Sequence, residues 1–231
     1  LVSSKGGDDP GWENSDPLVE RTFDYSAYGV EKSLEDSLKR LNLERLDMVF
    51  IHDPDEHADQ AITVAYPVLE KMRDQGLVTA IGVGITTTAI PTRFVHETDI
   101  DVVLMALRYT LLDQSAAQDL LPAALEKGVS VIAGGVFNSG ILINPNKDST
   151  FNYMPASSEI LHRAQLIQEF LGQRGVSLAQ AAMQFPLRHP AISAILVGCR
   201  SRDEVLHNIT DFNTIIAEDI WLEIEDFLLT V

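Results

Sequence analysis

His52 follows directly on the apolar run Asp47-Met48-Val49-Phe50-Ile51, and Lys5 follows Leu1-Val2-Ser3-Ser4. An imidazole at the end of such a run can orient a substrate hydroxyl or carbonyl, or exchange a proton near neutral pH. It can equally be a strand-terminal histidine bonded to a neighbouring loop. An ammonium such as Lys5, set near a phenol, would favour the phenolate and lower its pKa. The plainer reading of Lys5 is a solvated surface lysine.

Two further segments have the composition to receive an anion. In Gly134-Gly135-Val136-Phe137-Asn138-Ser139-Gly140 the glycines allow close backbone approach, and free amides there could take a phosphate. A flexible loop with no phosphate is the competing reading. Gly198-Cys199-Arg200-Ser201-Arg202-Asp203-Glu204, running on to Asn208, leads from an apolar run into a helix start. Helix N-termini attract anions through their unpaired N–H groups, and two arginines strengthen that field. Ser201 and Glu204 also have the spacing of a capping box, and the two readings are compatible.

These residues must be held by the elements around them. Short apolar runs alternate with longer amphipathic stretches throughout. Strands are expected at Leu1 to Ser4, Leu46 to His52, Thr79 to Gly84, Asp101 to Leu107, Val129 to Gly134 and Ala194 to Val197. Met48-Val49-Phe50-Ile51 is apolar on both faces, as in a parallel sheet covered on two sides. Helices are expected around Leu34, Leu38 and Leu41, and around Ile62, Ala65, Leu69 and Met72. Others fall at Ser115 to Lys127, Ser158 to Arg174, Leu178 to His189, from Ser201 onward, and Glu218 to Leu229. The stretch Gly6 to Glu20 reads as an irregular loop. Repeated βα units imply a parallel sheet with right-handed crossovers, either a (β/α)₈ barrel or an open doubly wound sheet. In a barrel the chemistry sits at the C-terminal ends of the strands. Lys5, His52-Asp53, Gly84, Arg108, Gly134-Gly135 and Gly198 all stand at such ends.

Composition narrows the partners. The 231 residues suit one domain spanning the whole chain, with a formal net charge of −17. That charge argues against nucleic acid, because neutralising phosphates needs clustered Lys and Arg. Cys199 is the single cysteine, so no internal disulfide can form, which fits a reducing cytoplasm. No Cys/His spacing suits zinc. No apolar run approaches the roughly 18 residues that span a bilayer, and no signal peptide is visible. The chain opens at Leu1 rather than Met, so upstream sequence is expected to be missing.

With these residues in view, the sequence resembles the aldo-keto reductases. Within them it is most similar to the branch of sugar 1-dehydrogenases, acting on L-fucose or D-threo-aldose, and pyridoxal 4-dehydrogenases. The likeness is carried by Phe23-Asp24-Tyr25-Ser26, Leu46-Asp47 through Ile51-His52-Asp53-Pro54, and Ala80-Ile81-Gly82-Val83-Gly84. It continues in Arg108-Tyr109-Thr110-Leu111-Leu112-Asp113-Gln114-Ser115 and in Gly134 to Leu142, and so spans nearly the whole chain. The resemblance implies an α/β fold, a (β/α)₈ TIM barrel of aldo-keto reductase type. Its strands three to eight are here, and the first two βα units are absent. An arc of that kind would leave strand edges and apolar interior exposed.

The resemblance also assigns residues. Lys5 falls on the family lysine and His52 on the family histidine, while the family's catalytic Asp and Tyr lie ahead of Lys5. Phe137, Asn138, Ser139 and Gly140 fall on the pyrophosphate loop. Gly198, Arg200, Glu204 and Asn208 fall on the adenosine-binding strand-to-helix segment. Where many relatives hold the nicotinamide with Ser-Asn, Gln and a stacked Tyr, this chain has Gly84-Ile85, Ala106 and Gly134. The implied cofactor is NAD or NADP. Glu204 would repel a 2′-phosphate and Arg200 would attract one, and the balance favours NAD. The implied reaction is oxidation of a cyclic hemiacetal, an aldose or pyridoxal, to a lactone by hydride transfer to the cofactor. The alternatives are a general aldehyde or ketone reductase and a cofactor-binding protein without catalysis.

Overall fold

The computed structural model describes residues 2–3 and 22–231, and the chain divides into two units. The first comprises Leu1–Ile85 and Ala89–Leu104, the second Thr86–Thr88 and Met105–Val231. Lys5 and the loop expected at Gly6 to Glu20 lie outside the described residues.

In the first unit, β1 (Val2–Ser3) pairs with β2 (Thr22–Phe23), Val2 opposite Phe23. The pairing is antiparallel, whereas the sequence places Leu1 to Ser4 in a parallel sheet. Helix α1 (Ala27–Leu41) begins where two side chains take the backbone donors of its first turn. Ser26 accepts the Gly29 amide at 3.1 Å, and Asp24 accepts the Ser26 amide at 2.9 Å. A Cβ on Gly29 would lie 2.3 Å from Asp24 Cγ, so a larger residue there would displace the Asp24 carboxylate from the Ser26 amide. The helix ends at Asn42 in the left-handed conformation, with φ 54°.

Strand β3 (Leu46–His52) has the bounds the sequence predicts. It pairs in parallel with β4 (Val78–Ile85), from Leu46 opposite Val78 to His52 opposite Gly84. Val49 and Ile51 are buried, but Met48 on the alternate face is 52% exposed. A strand apolar on both faces is thus covered fully on only one. Between β3 and β4 lie α2 (Ala58–Gln60), a π-helical stretch Ala61–Ala65, and α3 (Tyr66–Asp74). Ile62, Ala65, Leu69 and Met72, the expected apolar stripe, are all buried. Helix α4 (Ala89–Glu97) does not stand out in the sequence, where Thr86-Thr87-Thr88 and Pro91 argue against helix. Pro91 is tolerated because it sits in the first turn, where its missing N–H costs nothing. Strand β5 (Val102–Ala106) carries the chain from the first unit into the second.

In the second unit the expected helix Ser115 to Lys127 is split. A 3₁₀ turn, Ser115–Ala117, precedes α5 (Leu120–Lys127), and the Asp119 carboxylate accepts the Leu120 amide. Strand β6 (Ser130–Gly134) follows, then a short hairpin of β7 (Thr150–Phe151) and β8 (Met154–Pro155). Next come α6 (Ser158–Gly172) and α7 (Leu178–Gln184), the latter opened by a complete capping box between Ser177 and Gln180. Helix α7 gives way to a 3₁₀ turn, Phe185–Arg188, earlier than the sequence pattern implies, because Pro186 cannot continue an α-helix. Strand β9 (Ile192–Leu196), α8 (Arg202–Asn213) and α9 (Glu218–Leu228) complete the unit. Strands β6 and β9 pair in parallel, ending with Gly134 opposite Leu196. The core of this unit is built from Ile167 and Leu171 of α6, Ala181 and Ala182 of α7, and Trp221 and Ile224 of α9. Helix α8 buries none of its residues, and leaves Val205, Leu206, Ile209 and Phe212 exposed. No helix among the described residues is long and apolar enough to cross a membrane.

Candidate active site

His52 is the last residue of β3, in the first unit, with its side chain half exposed. Its Nδ1 lies 3.1 Å from the Asp53 carboxylate. A neutral imidazole that donates through Nδ1 keeps its Nε2 lone pair free to accept from a hydroxyl. The chain turns sharply at Asp53, which has a φ of 44°. The Asp53 amide donates to the Gly84 carbonyl at 2.9 Å, extending the β3–β4 pairing past the strand end. The Tyr25 hydroxyl donates to the main-chain carbonyls of both His52 and Asp53, at 2.7 and 2.9 Å. Sequence reasoning gave Tyr25 no role, because nothing local shows which carbonyls a buried phenol will reach.

In the second unit, the loop after β6 is shaped by a run of left-handed residues: Gly135, Asn138, Ser139 and Gly140 all have positive φ. Gly135 admits no side chain, since a Cβ would sit 2.6 Å from Leu107 Cδ2. The amides of Asn138 and Gly140 are engaged inside the loop, with the carbonyls of Gly135 and Phe137. The loop's capacity for an anion is narrower than its glycine content implies. Ser139 Oγ accepts the Tyr153 amide at 2.9 Å, and its carbonyl accepts the Thr150 hydroxyl at 3.0 Å. The β7–β8 hairpin therefore latches onto this loop.

Asn138 is fully buried, as is Thr110. The Asn138 amide group donates to Thr110 Oγ1 and accepts from the Asn152 amide, both at 3.4 Å. Thr110 Oγ1 also accepts the amides of Leu112 and Asp113, each at 3.1 Å. Around it, Arg108 donates to the Thr86 carbonyl at 2.6 Å and to Asp113 at 3.0 Å. Asp113 in turn accepts the Ser115 amide at 2.9 Å and its hydroxyl at 2.6 Å. The stretch Arg108 to Ser115 is thus a polar knot that supports the β6 loop through Asn138. The Asp-x-Ser pattern at 113–115 was its one readable signal.

The other predicted segment joins β9 to α8. Because β6 and β9 are parallel neighbours, this segment and the β6 loop leave the same end of their strands. Ser201 caps α8 by accepting the Glu204 amide at 3.1 Å. The Glu204 carboxylate reaches one residue further back than a capping box requires, to the Arg200 amide at 2.7 Å. The Arg200 side chain is 94% exposed, 3.9 Å from Glu204. Asn208 donates to Cys199 Sγ at 3.3 Å. Gly198 has nothing within 4 Å of where a Cβ would stand. An available guanidinium, an open glycine and a capped helix start have the chemistry to hold an adenosine phosphate.

Parallel strands alternating with helices, with polar residues past the strand ends of each unit, define an α/β protein. Residues 1–228 match the model of the aldo/keto reductase family, and the chain belongs to that family. It is 37% identical over 224 residues to pyridoxal 4-dehydrogenase of Microbacterium luteolum, covering 92% of this chain and 65% of that protein. It is 35% identical to D-threo-aldose 1-dehydrogenase of Pseudomonas sp, covering 90% of this chain and 64% of that one. The chain therefore spans less than two thirds of the length of these relatives. Among solved structures, an aldo-keto reductase of Bacillus halodurans in its holo form superposes with a TM-score of 0.75 at 20% identity. That match covers 88% of this chain and 68% of the other. The glycerol dehydrogenase of Gluconobacter oxydans gives 0.74 at 22% identity, covering 94% and 68%. These likenesses establish the fold, that of the aldo-keto reductase TIM barrels over part of its length.

Proposed function

We propose that this chain is the cofactor-holding part of an NAD-dependent dehydrogenase that oxidises a cyclic hemiacetal, an aldose or pyridoxal, to its lactone. The observation that carries the reading is His52, half exposed at the end of β3 with Nδ1 3.1 Å from the Asp53 carboxylate, an arrangement in which Nε2 would serve the substrate. Membership of a family of NAD(P)-dependent oxidoreductases supports it, and so do the activities named for the two relatives. In this reading His52 orients the anomeric hydroxyl, whose proton leaves as the hemiacetal carbon is oxidised. Lys5 favours the phenolate of the family tyrosine that accepts the proton. When bound, the nicotinamide supplies the hydride acceptor. Arg200, with the capped start of α8, binds the adenosine phosphate, and the loop Phe137, Asn138, Ser139 and Gly140 cradles the pyrophosphate. Gly198, Glu204 and Asn208 border the adenosine ribose, and the chain belongs to a single aldo-keto-reductase-like barrel domain. The ligand is a small molecule.

The full-length gene product tests this reading. Incubated with NAD and a panel of aldoses and pyridoxal at alkaline pH, it should generate NADH absorbance. His52→Ala should lower kcat by about 10²-fold, the usual contribution of a placed acid–base group. If no panel member is oxidised while simple aldehydes are reduced, the chain is a general aldehyde reductase. Failure of both NADH and NADPH to quench intrinsic fluorescence would remove the cofactor from the reading altogether.

A further inference from the structure

We propose that Tyr25 is the positioning residue for His52: its buried hydroxyl, donating to the carbonyls of His52 and Asp53 together, fixes the turn from which the imidazole projects. The proposal rests on the reading of His52 as the group that orients substrate.

Successive carbonyls of an extended strand point to opposite sides. One hydroxyl can reach two consecutive carbonyls, at 2.7 and 2.9 Å, only where the chain has left that geometry. The departure is the left-handed Asp53, at φ 44°, a conformation that is uncommon outside glycine and most tolerated by Asn and Asp. The turn is held from the other side by the Asp53 amide on the Gly84 carbonyl. Fixing the Asp53 backbone fixes its carboxylate, which stands 3.1 Å from His52 Nδ1. The hydroxyl thus acts on the imidazole through Asp53.

The local sequence holds the phenol in place. Tyr25 is 1% exposed, flanked by Asp24 and Ser26, whose side chains take the amides at the start of α1. Its ring packs against Phe23 and His57, with centroids 6.3 and 5.5 Å away. Burial, and after it the charges of Asp53 and Asp55, push the phenol well above the ordinary tyrosine range. It therefore stays protonated and donates, and has no part as a proton acceptor.

The test compares Tyr25→Phe, His52→Ala and the double variant in the full-length gene product, with NAD and the aldose or pyridoxal found to turn over. Tyr25→Phe keeps the ring and removes only the hydroxyl. It should lower kcat about tenfold, counted per folded molecule, because small misplacements of a reacting group are costly. NADH affinity, read by fluorescence, should change less than about twofold, since no cofactor residue is touched. In the double variant the tyrosine substitution should add nothing to the loss from His52→Ala. Full kcat in Tyr25→Phe beside an impaired His52→Ala would overturn the positioning role and leave the catalytic one. Full kcat in His52→Ala would instead overturn the proposed function at this residue, and this inference with it. Should Tyr25→Phe fail to fold, Asp53→Asn takes its place, keeping the left-handed turn while removing the carboxylate's charge from Nδ1. A kcat lowered in Asp53→Asn, with nothing added when it is combined with His52→Ala, supports positioning through Asp53, and an unchanged kcat overturns it.

Discussion

The Glu204 carboxylate accepts the Arg200 main-chain amide at 2.7 Å, while the Arg200 guanidinium stands 3.9 Å away and 94% exposed. The carboxylate is thus held at the start of α8, while the guanidinium is exposed to solvent. If a 2′-phosphate were brought to this segment, the held negative charge would oppose it.

Replacing Glu204 by Gln keeps the oxygen that caps the amide and removes the charge. The ratio of kcat/KM for NAD over NADP should fall about five- to tenfold, the scale of one like-charge contact near a surface. Steady-state assays with both cofactors measure it directly. A ratio that does not move places cofactor choice elsewhere.

Asn138→Ala should weaken the β6 loop from within. It leaves the buried Thr110 hydroxyl and the Asn152 amide without a partner they now share. Thr110 Oγ1 keeps the amides of Leu112 and Asp113, so the loss falls on the Asn152 amide and should cost about 1–3 kcal/mol, visible as an earlier urea midpoint. NADH should bind less tightly in the surviving folded protein, while 5′-AMP, which needs only the β9–α8 segment, should bind as before. Equal loss for both ligands would contradict the division of labour between the two segments.

His189 gives the fold a pH dependence. Burial holds its imidazole below the ordinary histidine range, and its Nδ1 accepts the Ala191 amide at 3.2 Å. Tyr109 meets the ring edge-on, with centroids 5.6 Å apart. Because the folded pKa is the lower one, the unfolded chain takes the proton first. The stabilisation is complete above the ordinary range and drains as pH falls through it toward the folded value. Melting temperature should therefore decline as pH is lowered from about 7.5 to 5.5, the span around an unperturbed histidine. His189→Gln should flatten that decline. A wild-type melting temperature that is constant over the same span would show that burial does not lower the pKa of His189 in the folded protein.

The elements themselves were largely legible. Strand β3 has its predicted bounds because a run of apolar, mostly β-favouring residues between Arg45 and Asp53 permits little else. Helix α4 was not legible, because Pro91 and three threonines look like breakers until the chain is seen to place them before or within a first turn. The long Ser115 to Lys127 pattern concealed a break that Asp119 makes through its own side chain.

For the candidate site the division falls between position and use. The sequence alone put His52 at a strand end, an anion-suited turn before α8, and a glycine-rich loop after β6, since each depends on residues close together in the chain. Only the tertiary structure decided what those residues are attached to. Tyr25 reaches carbonyls 27 and 28 residues away, and Asn138 reaches a hydroxyl 28 residues away. Hydrogen bonds across such separations are set by how the elements pack, which no local pattern records. The physical reason is that a buried donor takes whatever acceptor packing brings to it.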